Sequence, residues 1–321
     1  MKIDKTAVRD MEDTQTKQIK KRKALVTGAS GMLGAYVSRL LSADFNVDSL
    51  GRGEVNTIRC NLIKDVPELG SQKYELVVHC AGSEDDSEES LNTEGTHNLL
   101  KALSADGLPK WFVYISSSNV YGQEGENITE DTILSPHSSA ARSKEKAERE
   151  VSHWAQENGV TLTIIRPARM FGTGVHGETL RIFNDALNGS FIHIRGNNAK
   201  VSLVTALDVA KAIVAVYQSG GIYNLADGKN PMLIDMVQAM TANAGREKRL
   251  TTLPSSWAAW VWRLCRWVPA INRNLNPTIV GDRLKTMTID GTRIAEVTGI
   301  NYYNTIEVIA RRDTDYPYDE K

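Results

Sequence analysis

The stretch Lys23-Ala24-Leu25-Val26-Thr27-Gly28-Ala29-Ser30-Gly31-Met32-Leu33-Gly34 restricts the fold of this chain more than any other. Ala24, Leu25 and Val26 form a short continuous apolar run, the pattern of a strand buried on both faces of a parallel sheet. After the glycines, Met32, Leu33, Val37, Leu40 and Leu41 recur at helical spacing, which predicts strand, glycine turn and helix in that order. Such an opening suits a dinucleotide. Glycine permits the tight turn, lets the backbone approach a pyrophosphate and lets helix pack closely on strand, with the phosphates facing the helix N-terminus. Gly28, Ser30, Gly31, Met32 and Gly34 are therefore candidate cofactor contacts.

The spacing is Gly28-x-x-Gly31-x-x-Gly34 rather than Gly-x-Gly-x-x-Gly. With Thr27 before it, the segment resembles the short-chain dehydrogenase/reductase superfamily, specifically its extended branch of sugar-nucleotide epimerases, dehydratases and ketoreductases. The resemblance runs from about Lys23 to about Asp227 and weakens beyond. It implies an α/β fold, a doubly wound parallel Rossmann sheet with a smaller C-terminal substrate-binding lobe. The expected division is a flexible arm at 1–20, a dinucleotide-binding domain at 21–170 rejoined by 203–225, and a substrate lobe from 171–202 and 226–321.

With 321 residues, 41% hydrophobic and 24% charged, the chain can bury a globular core in one large domain or two smaller ones. A net charge of −1 gives no global attraction for nucleic acid. Cys60, Cys80 and Cys265 share no metal-like or redox spacing, so idle or buried thiols in a reducing compartment are expected, and no metal. No run of ~18 apolar residues occurs and the N-terminus lacks an apolar signal core, so neither a spanning helix nor a secretory peptide is expected. The expected location is the cytoplasm, with the inner face of the membrane as an option. The basic run Lys20 to Lys23 reads as a solvated lead-in to the first strand.

The second strand should run from Phe45 to Leu50, and the residue past its end distinguishes the two nicotinamide cofactors. An acid there would bind the adenine ribose hydroxyls, whereas an arginine accommodates a 2′-phosphate. Here the residues are Gly51-Arg52, and the planar, permanently charged fork of Arg52 favours NADP(H), with NAD(H) left open. The resemblance adds Asn61 and Leu62 beside the adenine, Cys80, Ala81 and Gly82 along the cofactor, and Pro167 at the end of the sixth strand. His79 reads as a packed strand residue, and the acidic run Glu84 to Glu89 as a solvated loop and helix start. Asn92-Thr93-Glu94-Gly95-Thr96 matches the family's Asn-x-x-Gly-Thr helix, which implies that Asn92 supports the active site from behind.

The strand Trp111 to Ile115 delivers Ser116-Ser117-Ser118-Asn119-Val120-Tyr121-Gly122 to the carboxyl edge of the sheet. By resemblance, the hydroxyl that bonds the substrate oxygen is Ser117, four residues before Tyr121. Family dehydratases follow that hydroxyl with Asp-Glu. Ser118 and Asn119 stand there instead, and neither side chain is a general acid or base near neutral pH, which argues against a 4,6-dehydratase. The family's Tyr-x-x-x-Lys helix puts phenol and ammonium on one face. Ser143-Lys144 matches that helix, yet four residues before Lys144 stands Ala140, which has no proton to transfer. Two explanations stay open: a protein that only binds its cofactor, or a tyrosine truncated to alanine. The intact Ser117 and Lys144 favour the second.

Arg166-Pro167-Ala168-Arg169-Met170-Phe171-Gly172 resembles the signature at which the extended branch turns from cofactor domain to substrate domain. Arg169, Arg181 and Arg195, with Ser117, Ser118, Asn119 and Tyr121, are the candidate substrate contacts, since arginine forks suit a diphosphate. In the segment Trp257 to Val268, Trp257, Trp260, Val261, Leu264 and Val268 follow helical spacing. That helix either lies in a membrane interface or packs within the small lobe or a dimer contact. A homodimer is expected. The resemblance implies oxidoreduction at a sugar carbon, C4, of a nucleotide-linked or polyprenyl-diphosphate-linked sugar, by an epimerase or a ketoreductase, in a chain that Ala140 leaves inactive. Rival readings are a non-catalytic NAD(P)-binding regulator and a steroid-type hydroxy dehydrogenase.

Overall fold

The computed structural model describes residues 21–70, 73–122, 124–175, 177–243, 250–254 and 285–311. The expected arm at 1–20 and the tryptophan-rich stretch at 257–268 lie outside the described residues. In chain order the first half runs β1 (Arg22–Thr27), α1 (Met32–Leu41), β2 (Phe45–Gly51), β3 (Ile58–Arg59), β4 (Leu76–His79), α2 (Glu89–Asn92), α3 (Glu94–Asp106), β5 (Trp111–Ile115), β6 (Gly125–Ile128), α4 (Ser139–Asn158) and β7 (Thr161–Pro167). The second half holds β8 (Arg169–Phe171), α5 (Gly177–Asn188), β9 (Ile192–Ile194), β10 (Leu203–Thr205), α6 (Ala206–Val216), β11 (Gly221–Leu225), α7 (Leu233–Asn243), β12 (Thr251–Leu253), β13 (Met287–Ile289), α8 (Thr292–Thr298) and α9 (Thr305–Ala310).

Seven strands form one parallel sheet in the order β3-β2-β1-β4-β5-β7-β11. The chain builds outward from β1 in one direction and then in the other, so the order reverses there. That switch point is where open sheets of this kind leave a crevice at the carboxyl ends of their strands. The apolar run of β1 serves both faces, as its composition predicts. Ala24 and Val26 join the core under α1 and α6, and Leu25 joins the core under α3 and α4.

The segment after β9 forms β10, which pairs with β8 outside the main sheet, and then α6, which packs against α1. A third apolar cluster, with Ile182, Phe191, Val237, Met240 and Ile309, gives the C-terminal elements a core of their own. Among the described residues, no helix is long and apolar enough to cross a membrane.

His79 ties three elements together inside this core. Its Nδ1 lies 2.6 Å from Thr27 Oγ1 and its Nε2 lies 3.0 Å from Thr96 Oγ1. Thr96 donates its own proton to the Asn92 carbonyl, and Thr27 accepts the Ala81 N–H. The consistent arrangement is therefore a neutral ring with Nε2–H donating and Nδ1 accepting. Protonation of Nδ1 would set a second donor against the Thr27 hydroxyl. Burial, with the Lys144 charge adding, pushes the His79 pKa down to about 3.

That shift has a sign. The unfolded chain takes up a proton on His79 near its ordinary value and the folded chain does not, so the stabilisation is complete above about pH 6.5 and is lost as pH falls towards about 3. Urea midpoints measured across this window should fall with acid in the native protein and fall less steeply in His79→Gln. Equal slopes would remove His79 as a source of the acid sensitivity.

Candidate active site

The β1–α1 turn is shaped by backbone crowding. Gly28 has φ +65°, and a Cβ there would lie 2.8 Å from the Ala81 nitrogen; a Cβ on Gly34 would collide with the Gly28 carbonyl. The Gly28 N–H bonds the Leu50 carbonyl at 2.9 Å, and Gly31 N–H returns to the Gly28 carbonyl at 2.9 Å. Gly31 caps α1 without a side-chain bond, and no acid stands in the first turn, so the helix presents bare N–H groups and its positive end to the crevice. These features fit a dinucleotide pyrophosphate.

Gly28, Ser30, Gly31, Met32 and Gly34 line one groove with Arg52, Asn61 and Leu62 on one side and Cys80, Ala81, Gly82 and Lys144 on the other. Arg52 is exposed and has no acidic partner among the described residues, so its fork is available to a phosphate. Two of the candidate cofactor contacts stand outside the groove lining. Asn92 lies behind it, and Pro167 ends β7 opposite Leu225. The groove also takes in Ser83, Glu84, Ser116 and Met170, which the sequence did not single out.

Lys144 is 6% exposed and donates from Nζ to the Ile115 carbonyl at 2.8 Å. Desolvation pushes its pKa down to about 8, against the opposing pull of Glu84, Cys80 and Glu148. Gly82 makes room for it, since a Cβ there would strike the Lys144 ammonium and lie 2.9 Å from Asn92 Oδ1. Asn92 ties the loop after β4 to α4. Its Oδ1 accepts the Ser83 N–H at 2.9 Å, and its Nδ2 donates to the Ser83 carbonyl at 2.8 Å and to Ser143 Oγ at 2.9 Å.

Ser117 is buried at the end of β5, and its Oγ donates to Glu84 Oε1 at 3.2 Å. Ala140 sits one turn before Lys144 on α4, 3% exposed, with its N–H donated to Asp86 Oδ1 at 2.8 Å. The acidic run is exposed and begins helical turns, as expected, yet Glu84 reaches into the groove. A loop of acids carries no spacing that could have disclosed this.

The substrate-side candidates separate. Ser118 and Asn119 follow Ser117 in a single helical turn over Ser118–Tyr121, with Ser118 buried and Asn119 exposed. Tyr121 is buried, and its phenol is committed: it donates to Asn224 Oδ1 at 2.8 Å and accepts from Arg166 Nη1 at 2.8 Å. Arg166 in turn grips Glu148 with two bonds of 2.9 and 2.6 Å in a buried pair. Arg169 pairs with Glu178 at 2.9 Å. Arg181 is exposed near Asp85, whose carboxyl is held low chiefly by Ser87 hydrogen bonds and in small part by Arg181. Arg195 is exposed, with its backbone N–H on the Leu253 carbonyl at 2.8 Å.

Residues 24–226 match the model of the NAD dependent epimerase/dehydratase family. The GDP-6-deoxy-D-mannose reductase of Pseudomonas aeruginosa is 25% identical over 73% of this chain and 84% of its own length. The N-acetyl-alpha-D-glucosaminyl-diphospho-ditrans,octacis-undecaprenol 4-epimerase of Escherichia coli O157:H7 is 28% identical over 55% of this chain and 57% of its own length. Among solved structures, a UDP-glucose 4-epimerase of Thermotoga maritima with UDP-glucose superposes with a TM-score of 0.70, covering 92% of this chain and 98% of its own at 18% identity, a likeness of fold.

Asn92→Ala tests this tie between loop and helix. The change leaves both backbone groups of Ser83 without their partner, each at a cost of about 1–3 kcal/mol if buried and unpaired, while the Ser143 hydroxyl keeps its bond to the Ala140 carbonyl. Urea unfolding should show a loss of about 2–4 kcal/mol, after relaxation, together with weaker dinucleotide binding. A variant as stable as the native chain would show that the loop is held by other means.

Proposed function

The chain belongs to the NAD dependent epimerase/dehydratase family, and from that premise we propose that it carries out NAD(P)-dependent oxidoreduction at C4 of a nucleotide-linked or polyprenyl-diphosphate-linked sugar. The observation that carries this reading is a groove lined by the glycine turn, Lys144 and Glu84, with Ser117 joined to it through its hydrogen bond to Glu84. The nicotinamide supplies or accepts a hydride. The chain's own residues do the rest. The glycine turn and the N-terminus of α1 hold the pyrophosphate, Arg52 takes the 2′-phosphate, and Ser117 bonds the sugar oxygen at the reacting carbon. The Lys144 charge stabilises negative charge that develops nearby.

The activities named for the relatives from P. aeruginosa and E. coli, a ketoreduction and a C4 epimerisation, support this class of chemistry. The lipid-diphosphate option rests on the second of them. Ser118 and Asn119 weigh against dehydration, because the turn after Ser117 carries no carboxylate. The buried network around Tyr121 keeps that phenol away from the reaction. Ala140 leaves the position one turn before Lys144 without an acid or base, so the proton step is impaired relative to a tyrosine-bearing relative. It also supports a second reading, a chain that binds NAD(P) without turning sugar over.

Two measurements follow. Titration with NADPH and NADH should favour NADPH by about one to two decades, the equivalent of a charge-assisted bond of roughly 1.5–3 kcal/mol, and Arg52→Ala should erase the difference. Equal or tighter NADH binding by the native chain would contradict the assignment of Arg52. On a panel of 4-keto and 4-hydroxy sugar nucleotides, Ala140→Tyr should raise turnover by up to ~10²–10⁴-fold, the usual worth of a positioned acid/base group. If no member of the panel responds in either protein, the non-catalytic reading prevails.

A further inference from the structure

Glu84 has no part in the chemistry above, although it occupies the reacting end of the groove. It is the one carboxylate among the described residues that line the groove. Its Oε1 accepts the hydrogen bond of Ser117 Oγ at 3.2 Å, and its charge acts on the Lys144 ammonium. Two residues further on, Asp86 fastens the same loop to the backbone N–H of Ala140 at 2.8 Å, so the loop lies against the helical turn where the phenol is missing. From the other side, α5 closes in: a Cβ on Gly177 would lie 3.8 Å from Glu84 Oε2.

Apart from Lys144, whose ammonium donates to the Ile115 carbonyl, the other proton carriers nearby are committed or disabled. Tyr121 bonds Asn224 and Arg166. His79 is fully buried as a neutral bridge between two threonines. Burial pushes the Cys80 thiol up to about 12 and the Tyr114 phenol higher still. Asp86 is spent on the helix backbone. A carboxylate, unlike a phenol, is ordinarily ionised near neutral pH and so is available as a base without first being activated by a cation.

We propose that Glu84 is a catalytic residue that takes and returns the proton of the sugar hydroxyl, in the place of the absent tyrosine and beside Ser117. The proposal rests on the sugar oxidoreduction set out above. In the oxidising direction the C–H bond at the reacting carbon breaks and its hydride passes to an oxidised nicotinamide dinucleotide. The O–H bond breaks, its proton goes to a Glu84 carboxylate oxygen, and the electron pair left behind completes the C=O bond. Reduction runs the same transfers backwards, with Glu84 returning the proton to the oxygen.

The test is a cycle of four full-length proteins: native, Glu84→Gln, Ala140→Tyr and the double variant, assayed in single turnover with NADPH or NADP+ on the sugar-nucleotide panel. Glu84→Gln should slow the native chain by ~10²-fold or more while NADPH affinity stays within about threefold, and in the Ala140→Tyr background it should cost less than about threefold. Equal losses in both backgrounds, or none in the native chain, would overturn the role of Glu84. A second readout needs neither cofactor nor sugar. In lysine side-chain NMR, the Lys144 titration near about 8 should move lower in Glu84→Gln, because an opposing negative charge is gone; an unmoved titration would show that Glu84 does not face the site. Should Glu84→Gln fold poorly, Glu84→Asp should retain part of the native rate, and complete loss there with intact NADPH binding would also count against proton transfer by this carboxylate. Turnover seen only in the Ala140→Tyr proteins, with native and Glu84→Gln equally inert, would leave the sugar reading intact and remove Glu84 from it. Absence of turnover in all four would overturn both.

Discussion

A buried ammonium is expensive, and the site is arranged around the cost of Lys144. A lysine taken out of water needs an acceptor and nearby negative charge, or it loses its proton. The end of β5 offers the Ile115 carbonyl, Gly82 gives up its side chain to let the ammonium in, and Glu84 and Glu148 supply negative charge. Desolvation still prevails, with the Lys144 pKa at about 8. The result is a cation that sits near its titration point on the Ile115 carbonyl, at the carboxyl edge of the sheet.

What holds Lys144 in register is a second layer of buried polar contacts. Glu148, one turn further along α4, is locked to Arg166 on β7, and Arg166 in turn donates to Tyr121, which donates to Asn224 on β11. The helix α4, the strands β7 and β11 and the turn at Ser118–Tyr121 thus share one network. Removing one partner of such a pair strands a charge and typically costs about 3–5 kcal/mol. Asn92 does the corresponding work on the other side of the helix, through Ser143. The helix that carries Ala140 and Lys144 is therefore fixed from both flanks.

The parts of this arrangement that were legible in the sequence are those that a short stretch can specify. The glycine turn and the apolar strands β1, β4 and β5 declare themselves within a few residues, because strand burial and backbone crowding are local, whereas the Asn92 helix and the Ser143-Lys144 pair were legible through the family resemblance of their short motifs. Glu84 was hidden in an acidic run that composition alone assigns to solvent, and its place in the groove depends on Ser117, which lies far along the chain. Tyr121 was the reverse case, a residue next to the site in sequence whose phenol turns into the core. Pairings such as β6 with β13 have no local signal at all, since each strand is too short to announce its partner.

The central claim is that hydride leaves a sugar carbon at this groove, and isotope transfer tests it most directly. The protein would be incubated with NADP+ and 4-hydroxy sugar nucleotides carrying deuterium at C4, then denatured, and the released cofactor weighed by mass spectrometry. Deuterium on the nicotinamide ring is the result expected of C4 oxidation. Bound cofactor that stays unlabelled across the panel, in the native chain and in Ala140→Tyr alike, would contradict it.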